Sequence, residues 1–201
     1  MRSCEAQAID GRVNIGGFAG ILGYDFLKEA ADGGTVSFDA KRGQLRVNEK
    51  EDDIVSACAT WRDLPFNGRS YPVMDCGVYA MESCEGATAL VDTAAPVTIC
   101  NEALRDQAQL FPDFSAPDRT TTGVDGVQVP LVGAFAAGIR VGDKTKNVEF
   151  SMVPIAVADT PAMAALGFRK KPFILLGLDL LGDSFTFDFQ HNELRFYSKS
   201  S

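Results

Sequence analysis

The sequence predicts a mostly β protein, a small and largely antiparallel barrel or sandwich with short helices. Three observations lead there. Apolar residues alternate with polar ones at Val127, Val129 and Leu131 and again at Val148, Phe150 and Met152, the period-two pattern of strands with one buried face. Turn signals such as Asn67-Gly68 and Gly142-Asp143 punctuate these runs. The chain also repeats itself, because Ile21-Leu-Gly-Tyr-Asp-Phe-Leu27 reads against Leu175-Leu-Gly-Leu-Asp-Leu-Leu181 and aligns Gly23 with Gly177 and Asp25 with Asp179.

In chain order, the first informative stretch is Ile15 to Leu27. Its glycines fit neither G-x-G-x-x-G nor a Walker loop with its lysine, so a phosphate-binding reading is rejected and no cofactor is expected. The repeat then continues: Phe38-Asp39 with Gln44-Leu-Arg-Val47 mirrors Phe187-Asp188 with Glu193-Leu-Arg-Phe196. The offset is 154 (177 − 23) at the glycines and 149 (188 − 39) at the strands, which places an insertion of 5 residues (154 − 149) in the first copy, expected at Ala31-Asp-Gly-Gly34. Each copy reads as Gly, short helix and two strands. A full unit needs roughly residues 70 to 201, so residues 1–60 are read as the C-terminal part of a preceding unit and residues 61–201 as a complete domain. Either a longer two-unit protein was processed, or a duplication lost its first half.

Asn48 to Asp53 is a charge run and reads as a solvated linker or surface turn. Trp61 to Tyr71 holds the Asn-Gly hairpin signal, and Val73 to Met81 with Ala87 to Val91 form a strand pair that leads into Thr88 to Cys100. There Asp92 sits between Leu90-Val91 and Val97 and Ile99, where a charge is costly to bury unless partnered. On these residues alone, Asp92-Thr93 opens a turn or caps the short helix that starts at Asn101. A Pro- and Asp-rich loop, Phe111 to Arg119, precedes Thr120-Thr-Thr-Gly-Val-Asp-Gly126, a hairpin by its glycines. Ala134 to Val141 is expected as a separate strand turned by Gly142-Asp143, and Phe185–Phe189 and Glu193–Tyr197 as the closing pair.

Leu-Val-Asp-Thr-Ala-Ala-Pro-Val-Thr around Asp92 resembles the active-site loop of retropepsin-type aspartic proteases. There two apolar residues lead into Asp, Thr or Ser, Gly and Ala, and a second apolar strand follows. Phe173 to Leu181 and the strands after it resemble the closing apolar-apolar-Gly, short helix and terminal strands of the same family. Together the marks cover about residues 70 to 201, and one position departs: Ala94 stands where the family has Gly. The resemblance implies a retropepsin-like acid-protease barrel, with Asp92 as the catalytic carboxylate if the protein is active and Thr93 and Ala94 beside it. It also implies that Gly123-Val124-Asp125-Gly126 is the flap over a bound peptide, an ordinary hairpin being the other reading. Asp25, Asp39, Asp179 and Asp188 belong to the tail motif and are read as structural.

Composition removes other classes. A net charge of −8 disfavours nucleic acid, whose phosphates would be repelled. Runs such as Leu131 to Ile139 and Phe173 to Leu181 are too short and interrupted for a membrane span, and the N-terminus lacks the apolar core of a signal peptide. Five cysteines without a C-x-x-C pair favour free thiols in a reducing, intracellular compartment, although a Cys76 to Cys84 bridge across a hairpin stays open, as does an organelle lumen for a processed fragment. The single histidine, His191, sits in the turn Gln190 to Glu193; it removes Ser-His-Asp and His-rich zinc chemistry, and no metal is expected.

Aspartic-protease chemistry needs two carboxylates close enough to share a proton and activate a water. Only Asp92 fits the loop, so a second unit must supply the other. The added methyl of Ala94 would cost about 1 kcal/mol in a left-handed backbone. The sequence thus favours an aspartic-protease-fold protein without catalysis, binding a protein partner or a second copy through its sheet edges. The rival is an active endopeptidase, as a homodimer or with an upstream lobe, acting on peptides.

Overall fold

The computed structural model describes residues 23–39, 42–48, 55–80, 83–115, 119–122 and 126–197. The glycine-rich stretch before Gly23 and most of the charge run after Asn48 lie outside them.

The chain enters through α1 (Tyr24–Ala31), begun at Gly23 and ended by Asp32 in the left-handed region, φ 50°. A hairpin of β1 (Thr35–Asp39) and β2 (Gln44–Val47) follows. Asn48 locks it to the helix: its Oδ1 accepts from Thr35 N–H at 2.8 Å and its Nδ2 donates to the Ala31 carbonyl at 2.9 Å. Next come β3 (Val55–Thr60), β4 (Arg62–Phe66) and β5 (Arg69–Ala80). Asn67 and Gly68 both take positive φ (50° and 74°) between β4 and β5, the requirement of a tight primed turn and the reason for that residue pair.

β6 (Ser83–Val91) leads to β7 (Ile99–Cys100) and α2 (Glu102–Ala108). Then come β8 (Phe111–Pro112), β9 (Arg119–Thr122), β10 (Gln128–Gly142), β11 (Asn147–Val157), α3 (Pro161–Ala165), β12 (Phe173–Leu176), α4 (Leu178–Leu181), β13 (Ser184–Asp188) and β14 (Glu193–Tyr197). The larger sheet runs β4-β5-β6-β12-β7-β11-β10-β8 with β9 on β10, and a β5–β10 pairing closes its middle into a barrel. All its pairings are antiparallel except β6–β12 and β7–β11. The architecture is mostly β with short helices, as the sequence predicts.

Two strand expectations are corrected. Val129, Leu131 and Ala134–Val141 belong to one strand, β10, of 15 residues, because Gly133 passes without a turn and stays paired with Ala156, while Val127 lies just before it. The Val148-Phe150-Met152 alternation breaks at Met152, which has φ 51° and is 72% exposed. That left-handed residue shifts the pleat by one, so the buried set becomes Val153, Ile155 and Val157.

The smaller sheet runs β2-β1-β13-β14-β3 and carries the repeat. β1 pairs antiparallel with β13 so that Ser37 faces Thr186, and Thr186 Oγ1 donates to Ser37 Oγ at 2.7 Å. Those two residues are 149 apart, the repeat offset, and around them Val36 faces Phe187 while Phe38 faces Phe185. A local twofold therefore runs between Ser37 and Thr186. Phe38 stacks on Phe185 at 4.8 Å, and Trp61 meets Phe187 edge-on at 5.5 Å. This aromatic layer is part of the main core, against which the barrel packs.

Candidate active site

β6 delivers its buried run to Val91, and Asp92 follows in a turn between β6 and β7. Asp92 N–H donates to the Leu176 carbonyl at 3.0 Å, so the loop springs from the end of β12, which pairs parallel with β6. The turn closes when Ala95 N–H reaches the Asp92 carbonyl at 3.2 Å. Ala94 N–H donates to Asp92 Oδ1 at 3.0 Å and fixes the carboxylate's direction. Among the described residues no side chain bonds that carboxylate. Asp92 and Thr93 are half-buried and Ala94 is exposed.

Of the two readings of Asp92-Thr93, the turn holds. Asn101 caps α2 instead, its Oδ1 accepting from Leu104 N–H at 3.0 Å. Asp159-Thr160 is a look-alike dipeptide spent on capping: Asp159 Oδ1 accepts from Glu102 N–H at 3.0 Å, and Thr160 caps α3. The anticipated strain at Ala94 is absent, because Ala94 is not among the residues with positive φ.

A clamp that the sequence did not reveal holds the loop. Thr98 is fully buried, and its N–H and hydroxyl both donate to the Asp179 carboxylate, at 2.9 and 2.7 Å. Gly177 N–H donates in turn to Thr98 Oγ1 at 3.1 Å, and Leu178 N–H to the Ala95 carbonyl at 2.9 Å. The Gly177 backbone lies so close that a Cβ there would stand 2.4 Å from the Val97 carbonyl carbon. The only sequence trace was the Gly-x-Asp spacing shared by Gly177-Asp179 and Gly23-Asp25; nothing marked Thr98 as its partner. In the first copy, Asp25 accepts from Ser70 N–H at 3.4 Å.

Beside the clamp lies a hollow of about 330 Å³. Thr98 and Asp179 form one wall, Asp113, Ser115 and Arg119 its polar edge, and Ile155 of β11 part of its apolar lining. Asp92 does not line it. The proposed flap falls on the β9–β10 hairpin, where Thr122 faces Gln128. Gly123, Val124 and Asp125 lie outside the described residues; Gly126 has φ 76°.

His191 is exposed in the β13–β14 turn, its Nδ1 2.7 Å from Asp188 Oδ2. Arg195 binds the same carboxylate. The first copy repeats the arrangement with Arg42 and Arg46 on Asp39. Cys58, Cys76, Cys84 and Cys100 are all free. The Cys76–Cys84 bridge is excluded by register, since Cys76 pairs with Ala87 while Cys84 pairs with Tyr79, which puts the two thiols on opposite faces. Among the described residues no group of three or more His, Cys, Asp or Glu could hold a metal ion, and no helix is long and apolar enough to cross a membrane.

No family model matches the sequence, and no curated protein matches it. Among solved structures, the chain is similar to the EIAV protease complexed with the inhibitor HBY-793, at 16% identity over 59% of this chain and 91% of that one, with a TM-score of 0.35. It is also similar to a retropepsin-like aspartic protease from Rickettsia conorii, at 14% identity over 69% of this chain and 94% of that one, with a TM-score of 0.37.

Proposed function

We propose that the chain is an aspartic-protease-fold subunit that is catalytically incomplete by itself and binds a protein partner through its sheet edges. The observation that carries this is the state of Asp92: a carboxylate held by Ala94 N–H in a clamped loop, with no second carboxylate bonded to it among the described residues of the chain. A lone carboxylate has no like charge beside it to keep a proton available, and proton sharing is the core of this chemistry. The pairing of β13 supports a partner other than a symmetric second copy joined at that strand. In the family the terminal strands form the dimer sheet, but here β13 already has β1 on one side and β14 on the other.

A second reading has its own support. The family's Gly is replaced by Ala without left-handed strain, and the N–H that orients the carboxylate is kept. A complementary unit that brings another aspartate to Asp92 would then form an endopeptidase, with the β9–β10 hairpin as flap and the neighbouring hollow as a place for peptide side chains. The repeated Gly-helix-hairpin supports the division into the tail of one unit and a complete unit, and the pairing of β3 with β14 favours moving the boundary from residue 60 to between Asn48 and Val55. The free cysteines support a reducing, intracellular compartment.

Peptide cleavage at acidic pH by the purified chain, compared with Asp92→Asn, tests the proposal. No cleavage that depends on Asp92 is expected. Activity that vanishes with Asp92→Asn and with a statine-type inhibitor would overturn it and establish the second reading.

A further inference from the structure

Where β5, β6, β10 and β11 meet, the outer face of the barrel carries two cross-strand rows. One runs Gly86, Gly77, Arg140 and Glu149, and the other Cys84, Tyr79, Gly138 and Ser151. Directly opposed residues share a face, as do next-but-one residues of a strand, so all eight positions lie on one face, opposite the buried side chains of Cys76 and Val78. Three glycines inside paired strands are destabilising, and none of these has a positive φ that would require glycine. Their effect is space. A Cβ at Gly77 would stand 3.2 Å from Cys84 Sγ, 3.7 Å from Arg140 Nη2 and 3.8 Å from the Tyr79 hydroxyl, so three functional groups converge over a glycine floor. A Cβ at Gly86 would meet nothing within 4 Å, which leaves the floor open on the Cys84 side. Arg140 faces Glu149 across the strands, yet among the described residues it forms no ion pair, and its guanidinium lies 5.9 Å from the Tyr79 ring centroid instead. Cys84 is free and exposed.

We propose that this glycine-floored face is a thiol-exchange site, at which Cys84 forms a mixed disulfide with a small disulfide that carries amino-acid zwitterions, of the class of glutathione disulfide or cystine. Arg140 receives a carboxylate of that ligand, Glu149 its ammonium group, and the floor at Gly77 and Gly86 takes its backbone. A glycine inside a strand marks such a close approach. The exchange balances without a further reactant. Cys84 gives its proton to solvent, its thiolate attacks one sulfur of the ligand, a new S–S bond forms as the ligand's own breaks, and the departing thiolate takes up a proton. Cys84 is oxidised and the departing half is reduced. Burial and the neighbouring Cys84 push the Tyr79 phenol up, so it stays a neutral O–H donor beside the sulfur. The site lies at the opposite end of β6 from Asp92, so its test does not depend on what Asp92 does.

The test uses the full chain. Initial rates of modification at Cys84, followed by intact mass and peptide mapping, are measured with glutathione disulfide, with cystine and with the neutral hydroxyethyl disulfide. The ratio of a zwitterionic rate to the neutral rate cancels the thiolate fraction and reports recognition alone. Arg140→Gln should lower that ratio at least about threefold, the scale of an exposed ion pair, and Arg140→Lys should restore part of it. Gly86→Ala should lower it as well and leave the neutral rate unchanged, because its methyl touches nothing in the free protein but stands on the floor. Asp92→Asn should change neither rate. A fall seen with both zwitterionic ligands assigns recognition to the amino-acid zwitterion, and a fall confined to one of them assigns it to that ligand; either result supports the site. An unchanged ratio in Gly86→Ala, or in Arg140→Gln where that variant folds, would mean that Cys84 is only an exposed thiol and would overturn the proposal.

Discussion

Thr98 and Asp179 are joined twice, backbone N–H to Oδ2 at 2.9 Å and hydroxyl to Oδ1 at 2.7 Å, and this pair decides where the Asp92 loop sits. Thr98 is wholly buried, so removing the carboxylate strands a buried N–H and a buried hydroxyl together. Asp179→Ala is expected to cost about 2–3 kcal/mol, the range for losing a charged hydrogen-bond partner. Asp179→Asn, which keeps one acceptor, should cost less. Urea unfolding of both variants checks the order, and equal costs would mean that the carboxylate only fills space.

Gly177→Ala should be worse. The backbone there is ordinary, with φ −86°, so the objection to a side chain is contact alone: a Cβ would stand 2.4 Å from the Val97 carbonyl carbon and 2.8 Å from Thr98 N. Neither is the end of a flexible side chain, so the Asp92 loop itself must move. A loss of about 3 kcal/mol is expected, the upper end for overpacking. Urea midpoints measure it.

The parts of the fold legible in the sequence were those written in local chemistry. Asn67-Gly68 announced its hairpin because two positive φ values demand such residues, and Leu90-Val91 with Ile99 announced the buried strands around Asp92. The repeat was legible because Gly23 and Gly177 begin equivalent helices. What was missed depends on contacts across the chain. Nothing in Thr98 tells that its partner is 81 residues away, and nothing in Met152 tells that it turns left-handed and shifts the pleat of β11. The pairing of β13 with β1 is hidden for the same reason, since the two strands lie 149 residues apart.

The cysteines should sort by burial. Burial pushes the thiols of Cys76 and Cys100 up to about 12, so at pH 8 only about one in ten thousand would be thiolate, the form that reacts. Cys84 is exposed and Cys58 half-buried. Among the four cysteines of the described residues, timed alkylation of the native protein with peptide mapping should label Cys84 first and Cys58 next, and Cys76 and Cys100 only as fast as the protein unfolds. Rapid labelling of Cys100 would mean that the β7 region beside the Asp92 loop opens locally.

Acid should weaken the β13–β14 hairpin through Asp188. Burial alone would raise its carboxyl, but hydrogen bonds from His191 and the charges of Arg195 and His191 outweigh that and hold it below the usual carboxylate range. A group lowered in the folded state contributes stability that is present above its unfolded value, about 4, and lost as pH falls through the lower folded value. Urea midpoints should therefore drop as pH falls below about 4, and the drop should be shallower in Asp188→Asn, whatever that variant's stability at neutral pH. Parallel acid limbs would show that Asp188 ionises alike in the folded and unfolded chains.

Ala94→Gly separates two accounts of the departure from the family's loop. If Ala94 were held in a left-handed backbone, restoring glycine would relieve about 1 kcal/mol and stabilise the protein. Ala94 has no positive φ, and its N–H already reaches Asp92 Oδ1 at 3.0 Å, so there is no strain to relieve. Glycine then adds only freedom to the unfolded chain, and the variant should be less stable by about 0.4–1 kcal/mol. If the chain is catalytically incomplete as proposed, the variant should show no peptidase activity, because the glycine supplies no second carboxylate. A stabilised Ala94→Gly would point to a different loop conformation in solution, and a newly active one would locate the block to catalysis in the methyl group.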